Sequence, residues 1–164
     1  LSVVAAAACE APPPPHPGAA DRTGAGCPAG AHQTICRRSA TAARSATAAK
    51  AIEFAFAQVG KPYTSVGRFG PGGYDCSGLV WQAYRTAGID IGANLSSTIV
   101  QPGGPRHAVG LAQVQPGDVL WTPGHVVIAL ADGMIIEAAK PGTLVRVVSG
   151  AHRGFSKAVL IHAP

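Results

Sequence analysis

A cysteine and a histidine in this sequence have the surroundings expected of a nucleophile and its general base. Cys76 follows a glycine-rich turn and Asp75, at the point where a loop should become a helix. Free N–H groups and the dipole at a helix start favour the thiolate, which is the nucleophilic form of cysteine. His125 opens a valine-rich run and could serve as the base. The pair predicts a small hydrolase with a thiolate nucleophile.

Both residues also have structural interpretations. A buried cysteine after a glycine-rich turn is often plain packing, and a histidine entering an apolar strand can be a hydrogen-bonded core residue. Three features favour catalysis. Cys76 follows a helix-capping residue, small Ser77 and Gly78 leave room for a substrate, and His125 begins a core strand downstream.

A third polar group should orient the imidazole, and Glu137 is the candidate. If residues 131–133 form a three-residue hairpin loop ending in a left-handed glycine, Glu137 lies opposite Val127. It then shares the face of His125 as a diagonal neighbour, within reach of a glutamate side chain. A two-residue turn would place it opposite Ile128, on the other face. The glycine favours the longer loop, while an exposed glutamate on an edge strand remains the alternative.

The elements that must position these residues are helices first and strands later. A helix is predicted from Ala42 to Val59 and another from Cys76 to about Ala87. Residues 90–113 are predicted to be loop, with a short helix after Ser96-Ser97. Five strand candidates with turn signals between them follow, at 119–122, 125–130, 134–138, 143–148 and 157–162. This order predicts the α+β class with an antiparallel meander.

Composition divides the 164 residues near position 45. Residues 1–44 are rich in Ala, Pro, Gly, Ser, Thr and Arg and contain no aromatic residue, so they are predicted to be a low-complexity tail, linker or pro-segment. Residues 45–164 are enough to enclose one core. Composition leaves open whether the tail tethers the domain, occludes its groove or is disordered.

The tail carries the signs of an exported protein. Residues 1–9 resemble the end of a secretory signal, which predicts a location outside the cytoplasm, in the cell wall or periplasm. Lipidation of Cys9 is disfavoured, and no apolar run is long enough to span a membrane. A disulfide between Cys27 and Cys36 is expected in that compartment, with two free thiols, or a zinc site including His32, as the alternatives.

The net charge of +5 is biased toward the tail and constrains the partners. No basic helix with interleaved aromatic residues is present, which argues against nucleic acid. Acidic cell-wall polymers suit a basic tail better. We expect a monomer.

Three motifs follow one another along the chain: Tyr74-Asp75-Cys76-Ser77-Gly78-Leu79-Val80, Gln115-Pro116-Gly117-Asp118 and His125-Val126-Val127-Ile128, preceded by Gly60-Lys61-Pro62-Tyr63. Together they resemble the motifs of the NlpC/P60 peptidoglycan endopeptidases, and the resemblance covers about residues 45–162. The sequence is similar to the cell-wall hydrolases of mycobacteria and other actinobacteria.

The resemblance implies a papain-like α+β fold, with N-terminal helices packed on an antiparallel sheet of about five strands. It implies that Cys76 is the nucleophile, His125 the base and Glu137 the third polar residue. The implied reaction cleaves the bond between D-γ-glutamate and meso-diaminopimelate in peptidoglycan stem peptides. No metal or other cofactor is implied.

The same resemblance makes Tyr63 a residue that holds the oxyanion or substrate, and places Asp75 and Ser77 along the substrate groove. The chain departs from the family where Glu137 replaces the more usual histidine, where 64–67 replaces Trp-Gly-Gly, and where 91–97 replaces a Leu-Pro-Arg-x-Ser loop. Two alternatives follow: a peptidoglycan-binding module with weak or lost hydrolysis, and an amidase or acyltransferase with another substrate.

Overall fold

The computed structural model describes residues 22–151 and 153–162. The predicted secretory signal at residues 1–9 lies outside these ranges and stays a prediction. Within them, no helix combines the length and the apolar character needed to cross a bilayer.

The helices come first along the chain and the strands of a single sheet follow, in the order that the sequence predicts. The helices are α1 (Gln33–Thr41), α2 (Ala46–Ala57), α3 (Cys76–Thr86) and α4 (Ser96–Ile99). The strands are β1 (Arg106–Val109), β2 (Val119–Thr122), β3 (His125–Ala129), β4 (Met134–Glu137), β5 (Arg146–Ser149) and β6 (Lys157–Ile161). The α+β class is confirmed, and so are helices near both predicted positions.

The sheet has six antiparallel strands in the described residues, one more than expected, in the order β1-β6-β2-β3-β4-β5. The predicted meander is confirmed for β2 to β5. The extra strand is β1, in the segment predicted to be loop. Its two central residues are exposed, so it lacks the alternation of apolar and polar residues that marks a half-buried strand.

The helix predicted from Ala42 to Val59 is α2, which begins four residues later than expected and ends at Ala57. Ser45 begins α2 as its N-cap, because its hydroxyl accepts a hydrogen bond from the N–H of Ala48 at 3.1 Å. The preceding helix, α1, lies within the predicted tail, with Cys36 and Ala40 fully buried against the core. The described part of that tail, residues 22–44, is therefore folded onto the domain.

A disulfide braces this segment internally, and a hydrogen bond attaches it to the domain. Cys27 and Cys36 form the expected disulfide, so neither is available to a zinc ion. The buried hydroxyl of Ser39 accepts a hydrogen bond from the N–H of Ala131 at 3.0 Å, in the turn between β3 and β4. The folded segment thus holds one end of the hairpin that carries His125.

The turn formed by residues 115–118 has a structural role. The Asp118 carboxylate is 2 % exposed and accepts hydrogen bonds from Arg44 Nε at 3.0 Å and Nη2 at 2.8 Å. It also accepts one from the N–H of Gln115 at 2.9 Å. The hydroxyl of Tyr84 on α3 donates to the carbonyl of Gly117. This turn therefore joins α3, the N-terminal segment and β2.

Candidate active site

Cys76 is the first residue of α3, as the sequence predicts. Asp75 is the N-cap, and its carboxylate accepts a hydrogen bond from the N–H of Gly78 at 2.6 Å. Cys76 is the free cysteine of the described residues and is 9 % exposed. The thiol therefore lies at the start of a capped helix, which is the positive end of the helix dipole.

A close approach explains the glycine two residues after the cysteine. A Cβ atom added to Gly78 would lie 1.9 Å from the carbonyl oxygen of Arg68, so a side chain cannot be accommodated there. The same carbonyl accepts a hydrogen bond from the N–H of Asp75 at 3.3 Å. Gly78 thus lets the loop around Arg68 pack against the start of α3.

The hairpin between β3 and β4 has the predicted three-residue loop. Leu130 N–H donates to the carbonyl of Met134 at 2.9 Å, and Gly133 has a φ of +68°. The strand pairs Ile128 with Ile136, which places Glu137 opposite Val127. The register derived from the glycine is confirmed.

This register brings the two polar side chains together at the open end of the hairpin. Nε2 of His125 donates a hydrogen bond to Oε2 of Glu137 at 2.8 Å. Cys76 lies close enough to the His125 ring to raise its pKa, and Nδ1 is the ring nitrogen that Glu137 leaves free. The three side chains therefore lie together.

Two arginines that the sequence analysis did not single out hold the other oxygen of Glu137. Oε1 accepts from Arg146 Nε at 3.1 Å and Nη2 at 3.0 Å, and from Arg153 Nη2 at 2.9 Å. The Glu137 side chain is fully buried, while the arginines are 42 % and 35 % exposed. A buried carboxylate needs such partners to stay ionised. Arg146 is the residue opposite Glu137 in the pairing of β4 with β5. A prediction of the register between these two strands would therefore have identified Arg146 as a partner of Glu137.

Electrostatic interactions favour the charged forms of His125 and Glu137. Burial alone would lower the pKa of His125, but hydrogen bonds to Cys76 and Glu137, and their negative charge, raise it from 6.5 to about 9. Burial would raise the pKa of Glu137, yet His125, Arg146 and Arg153 lower it from 4.5 to about 2. A protonated His125 paired with the ionised carboxylate of Glu137 is therefore the favoured state near neutral pH.

A titration of His125 followed by NMR should report this raised pKa, at about 9. Replacing Cys76 by alanine removes one of the two groups that raise it, so the midpoint should move to lower pH. The stabilisation from His125 should be complete below pH 6.5 and lost as the pH rises through about 9. A midpoint in the wild type at or below 6.5 would contradict the ion pair.

The remaining predicted site residues lie around the start of α3. The backbone of Tyr63 pairs with that of Tyr74 in an isolated β-bridge. The pKa of the Tyr63 phenol is raised by burial first, and then by the negative charges of Cys76 and Asp75. Asp75 and Ser77 are both engaged by Arg68, whose Nη1 lies 3.3 Å from Asp75 Oδ2 and 2.9 Å from Ser77 Oγ. Arg68 is a third arginine that the sequence analysis did not single out.

No group of three or more His, Cys, Asp or Glu side chains within residues 22–151 and 153–162 is arranged to hold a metal ion.

The model of one protein family, described as NlpC/P60, matches residues 60–163, which is more than half of the chain. The chain belongs to the NlpC/P60 family. The match includes the start of α3 and both strands that carry the other two site residues. The membership indicated by the motifs is thus established.

Curated relatives match about three fifths of this chain. "Probable endopeptidase Rv2190c" of Mycobacterium tuberculosis (strain ATCC 25618 / H37Rv) is 40% identical over 100 residues, which are 59% of this chain and 25% of that protein. "Dipeptidyl-peptidase 6" of Lysinibacillus sphaericus is 32% identical over 98 residues, 60% of this chain and 35% of that protein. The chain therefore spans about a quarter to a third of the length of these relatives.

Solved NlpC/P60 structures share the fold. The NlpC/p60 domain of the peptidoglycan hydrolase SagA is 32% identical, with a TM-score of 0.57, covering 70% of this chain and 98% of that one. The Resuscitation Promoting Factor Interacting protein RipA, solved with a mutated cysteine and with a mutated histidine, is 26% identical. Its TM-score is 0.59, and the match covers 71% of this chain and 62% of RipA. The predicted NlpC/P60 fold is confirmed.

Proposed function

We propose that this protein is a cysteine endopeptidase of peptidoglycan, which cleaves the bond between D-γ-glutamate and meso-diaminopimelate in stem peptides. The observation that carries the proposal is the grouping of Cys76 with His125, whose Nε2 is hydrogen-bonded to the buried carboxylate of Glu137. A binding module would need no such group. Peptidoglycan as substrate is supported by the name of SagA, and the peptidase class by the names of both relatives.

In the first half of the reaction the Cys76 thiolate attacks the γ-glutamyl carbonyl carbon. The C–N bond then breaks as His125 gives its Nδ1 proton to the departing amine, which leaves an acyl thioester on Cys76. In the second half a water molecule gives a proton to His125 and attacks the thioester. The thiolate leaves, the acid product is released and the starting ion pair is restored.

The negative oxygen of each tetrahedral intermediate needs donors that are already in place. Backbone N–H groups at the start of α3 point toward the thiol end of the helix and supply them. The Tyr63 phenol lies close enough to Cys76 to sense its charge, and its raised pKa keeps it protonated as a donor. Tyr63 is therefore assigned to the oxyanion or to the adjacent substrate carbonyl.

Glu137 replaces the family's more usual histidine without loss of the orienting function. A carboxylate accepts the Nε2–H of His125 and stabilises imidazolium more strongly than a neutral ring would. Arg146 and Arg153 bind the opposite oxygen, which fixes the carboxylate group in the orientation that meets His125. The Cys-His-Glu arrangement is thus competent for the proposed reaction.

The proposed place of action is outside the cytoplasm, in the cell wall or periplasm. The disulfide between Cys27 and Cys36 supports it, because such bonds form and persist in oxidising compartments.

Digestion of a purified diaminopimelate-containing muropeptide by the full chain tests the proposal, with products weighed by mass spectrometry. We expect cleavage after γ-glutamate by the wild type and none by Cys76→Ala. Binding of the muropeptide by both proteins without cleavage by either would overturn the proposal in favour of a binding module. Cleavage of a different bond would move the activity to another substrate class.

A further inference from the structure

Two guanidinium groups converge on a single carboxylate oxygen beside His125. Oε1 of Glu137 accepts from Arg146 Nε at 3.1 Å and from Arg153 Nη2 at 2.9 Å, while Oε2 meets His125. One carboxylate can neutralise only one of these two cations. The cluster therefore carries a net positive charge even when His125 is neutral.

No second carboxylate of residues 22–151 and 153–162 contributes to this cluster. The others meet partners elsewhere in the molecule: Glu53 the N–H of Gly26, Asp75 Arg68, Asp90 the N–H of Gly92, Asp118 Arg44, and Asp132 Arg38. The positive charge beside His125 is therefore available to an anion that binds from solution.

Arg153 has hydrogen-bonding capacity that Glu137 does not use. A guanidinium has five N–H donors in one plane, and the bond to Glu137 engages Nη2. The side chains of Arg153 and Arg146 are 35 % and 42 % exposed, whereas that of Glu137 is fully buried. Arg146 alone gives Glu137 two hydrogen bonds, so the carboxylate keeps a cationic partner when Arg153 binds elsewhere. The planar donors of Arg153 match a second carboxylate.

The loop between β5 and β6 holds Arg153 in place. The N–H of Arg153 donates to the carbonyl of Gly150 at 3.2 Å, and the N–H of Gly150 donates to that of Gly133 at 2.9 Å. At the other end of the loop, the N–H of Ser156 donates to the carbonyl of Trp121 on β2 at 2.9 Å. A cation on a loop attached at both ends loses less conformational freedom when it binds a ligand.

The proposed reaction places the departing amine beside Nδ1 of His125. From that atom the ring, the 2.8 Å bond to Glu137, the carboxylate and the 2.9 Å bond to Arg153 span at most about 10 Å. In diaminopimelate, the carboxylate at the end of the side chain lies up to about 8 Å from the departing nitrogen, and hydrogen bonds add about 3 Å at each end. Arg153 is therefore within reach of that carboxylate.

We infer that Arg153, with the exposed edge of Arg146, forms a carboxylate-binding subsite on the amine side of the scissile bond. It receives the carboxylate at the end of the diaminopimelate side chain. The inference rests on the proposed function and deepens it. Arg153 is the specificity-determining residue, and a diaminopimelate whose side-chain carboxylate is amidated lacks the anion that this subsite binds.

Two tetrapeptides that differ in one group test the inference: L-Ala-D-γ-Glu-meso-diaminopimelyl-D-Ala, and the same peptide with the side-chain carboxylate amidated. For the wild-type full chain at pH 6.5 we expect kcat/KM to favour the free carboxylate by about tenfold, mainly through KM. Arg153→Gln should reduce this ratio to about twofold or less. Any effect of the variant on the orientation of Glu137 changes both rates alike and cancels in the ratio.

Two further variants separate charge from geometry. Arg153→Lys keeps the charge but loses the planar pair of donors, so it should retain an intermediate preference. Arg85→Gln is the matched control, because Arg85 is an exposed arginine that stacks on Trp81, and it should retain the whole preference. Equal kcat/KM for both peptides in the wild type, or an unchanged ratio in Arg153→Gln, would overturn the inference.

Binding to Cys76→Ala tests the subsite without catalysis. By isothermal titration calorimetry, we expect the Kd of the free-carboxylate peptide to be about tenfold lower than that of the amidated peptide. The double variant Cys76→Ala/Arg153→Gln should bind both peptides with similar Kd. Equal Kd values in Cys76→Ala would overturn the inference. Failure of the wild type to cleave either peptide, while the difference in Kd persists, would instead count against the proposed function alone.

Discussion

Glu137→Gln is expected to lower kcat/KM on the muropeptide by about a thousandfold without unfolding the protein. The glutamine carbonyl can still accept from Arg146 and Arg153, so its amide nitrogen must face His125. That amide donates to Nε2 of His125, which forces the imidazole proton onto Nδ1. The ring then presents an N–H to the Cys76 thiol and can no longer accept its proton.

The measurement is kcat/KM between pH 5 and 9, with circular dichroism to verify the fold. Glu53→Gln is the matched control, because Glu53 accepts a hydrogen bond from the N–H of Gly26 far along the chain from the candidate site. It should retain wild-type activity. Activity of Glu137→Gln within about fivefold of the wild type would show that the carboxylate has no orienting role.

Arg44→Ala is expected to lower the free energy of unfolding by about 3 kcal/mol. The Asp118 carboxylate is 2 % exposed, and removing Arg44 leaves it buried with a single N–H donor from Gln115. An uncompensated buried charge is far more destabilising than a lost surface contact. Urea unfolding at pH 7 measures the change.

Arg38→Ala is the matched control for this arginine. Its ion pair with Asp132 joins side chains that are 62 % and 45 % exposed, so its loss should change stability by less than about 1 kcal/mol. Asp118→Asn in the Arg44→Ala background should recover part of the loss, because the buried group is then neutral. Similar small effects of Arg44→Ala and Arg38→Ala would show that Asp118 is not dependent on its partner.

Local backbone chemistry made the hairpin and the start of α3 predictable. A glycine at the third loop position selects one register between β3 and β4, and that register alone puts Glu137 on the face of His125. Asp75 before Cys76 is a capping residue whose effect extends over a single turn. Such short-range preferences can be recognised without knowledge of the tertiary fold.

The arginines around the site illustrate what the sequence does not reveal. Arg68 meets Asn94, Arg153 meets Glu137, and Arg44 meets Asp118, at separations of 26, 16 and 74 residues. A long flexible cation has no periodic pattern, and its partner depends on which loops the fold brings together. The catalytic roles of Cys76 and His125 stay predictions. The muropeptide digestion with Cys76→Ala tests the first, and the kinetics of Glu137→Gln test the second.

Composition also failed as a guide to the N-terminal segment. Residues 33–41 contain few large apolar side chains, yet the small residues of α1 allow close packing on α2, and the disulfide fixes the loop before it. The boundary predicted at residue 45 would separate Arg44 from its buried partner. A truncated chain that keeps this ion pair therefore has to include Arg44.

The position of β6 in the sheet has a consequence for synthesis. This strand, Lys157–Ile161, comes last of the six in sequence but lies between β1 and β2, with hydrogen bonds to both. A growing polypeptide that has reached residue 150 therefore has β1 with no neighbour and β2 with an open edge. The sheet can close only after the ribosome has added residues 157–161. Closure of the complete sheet is therefore a late event, because the strand that joins β1 to β2 is synthesised last.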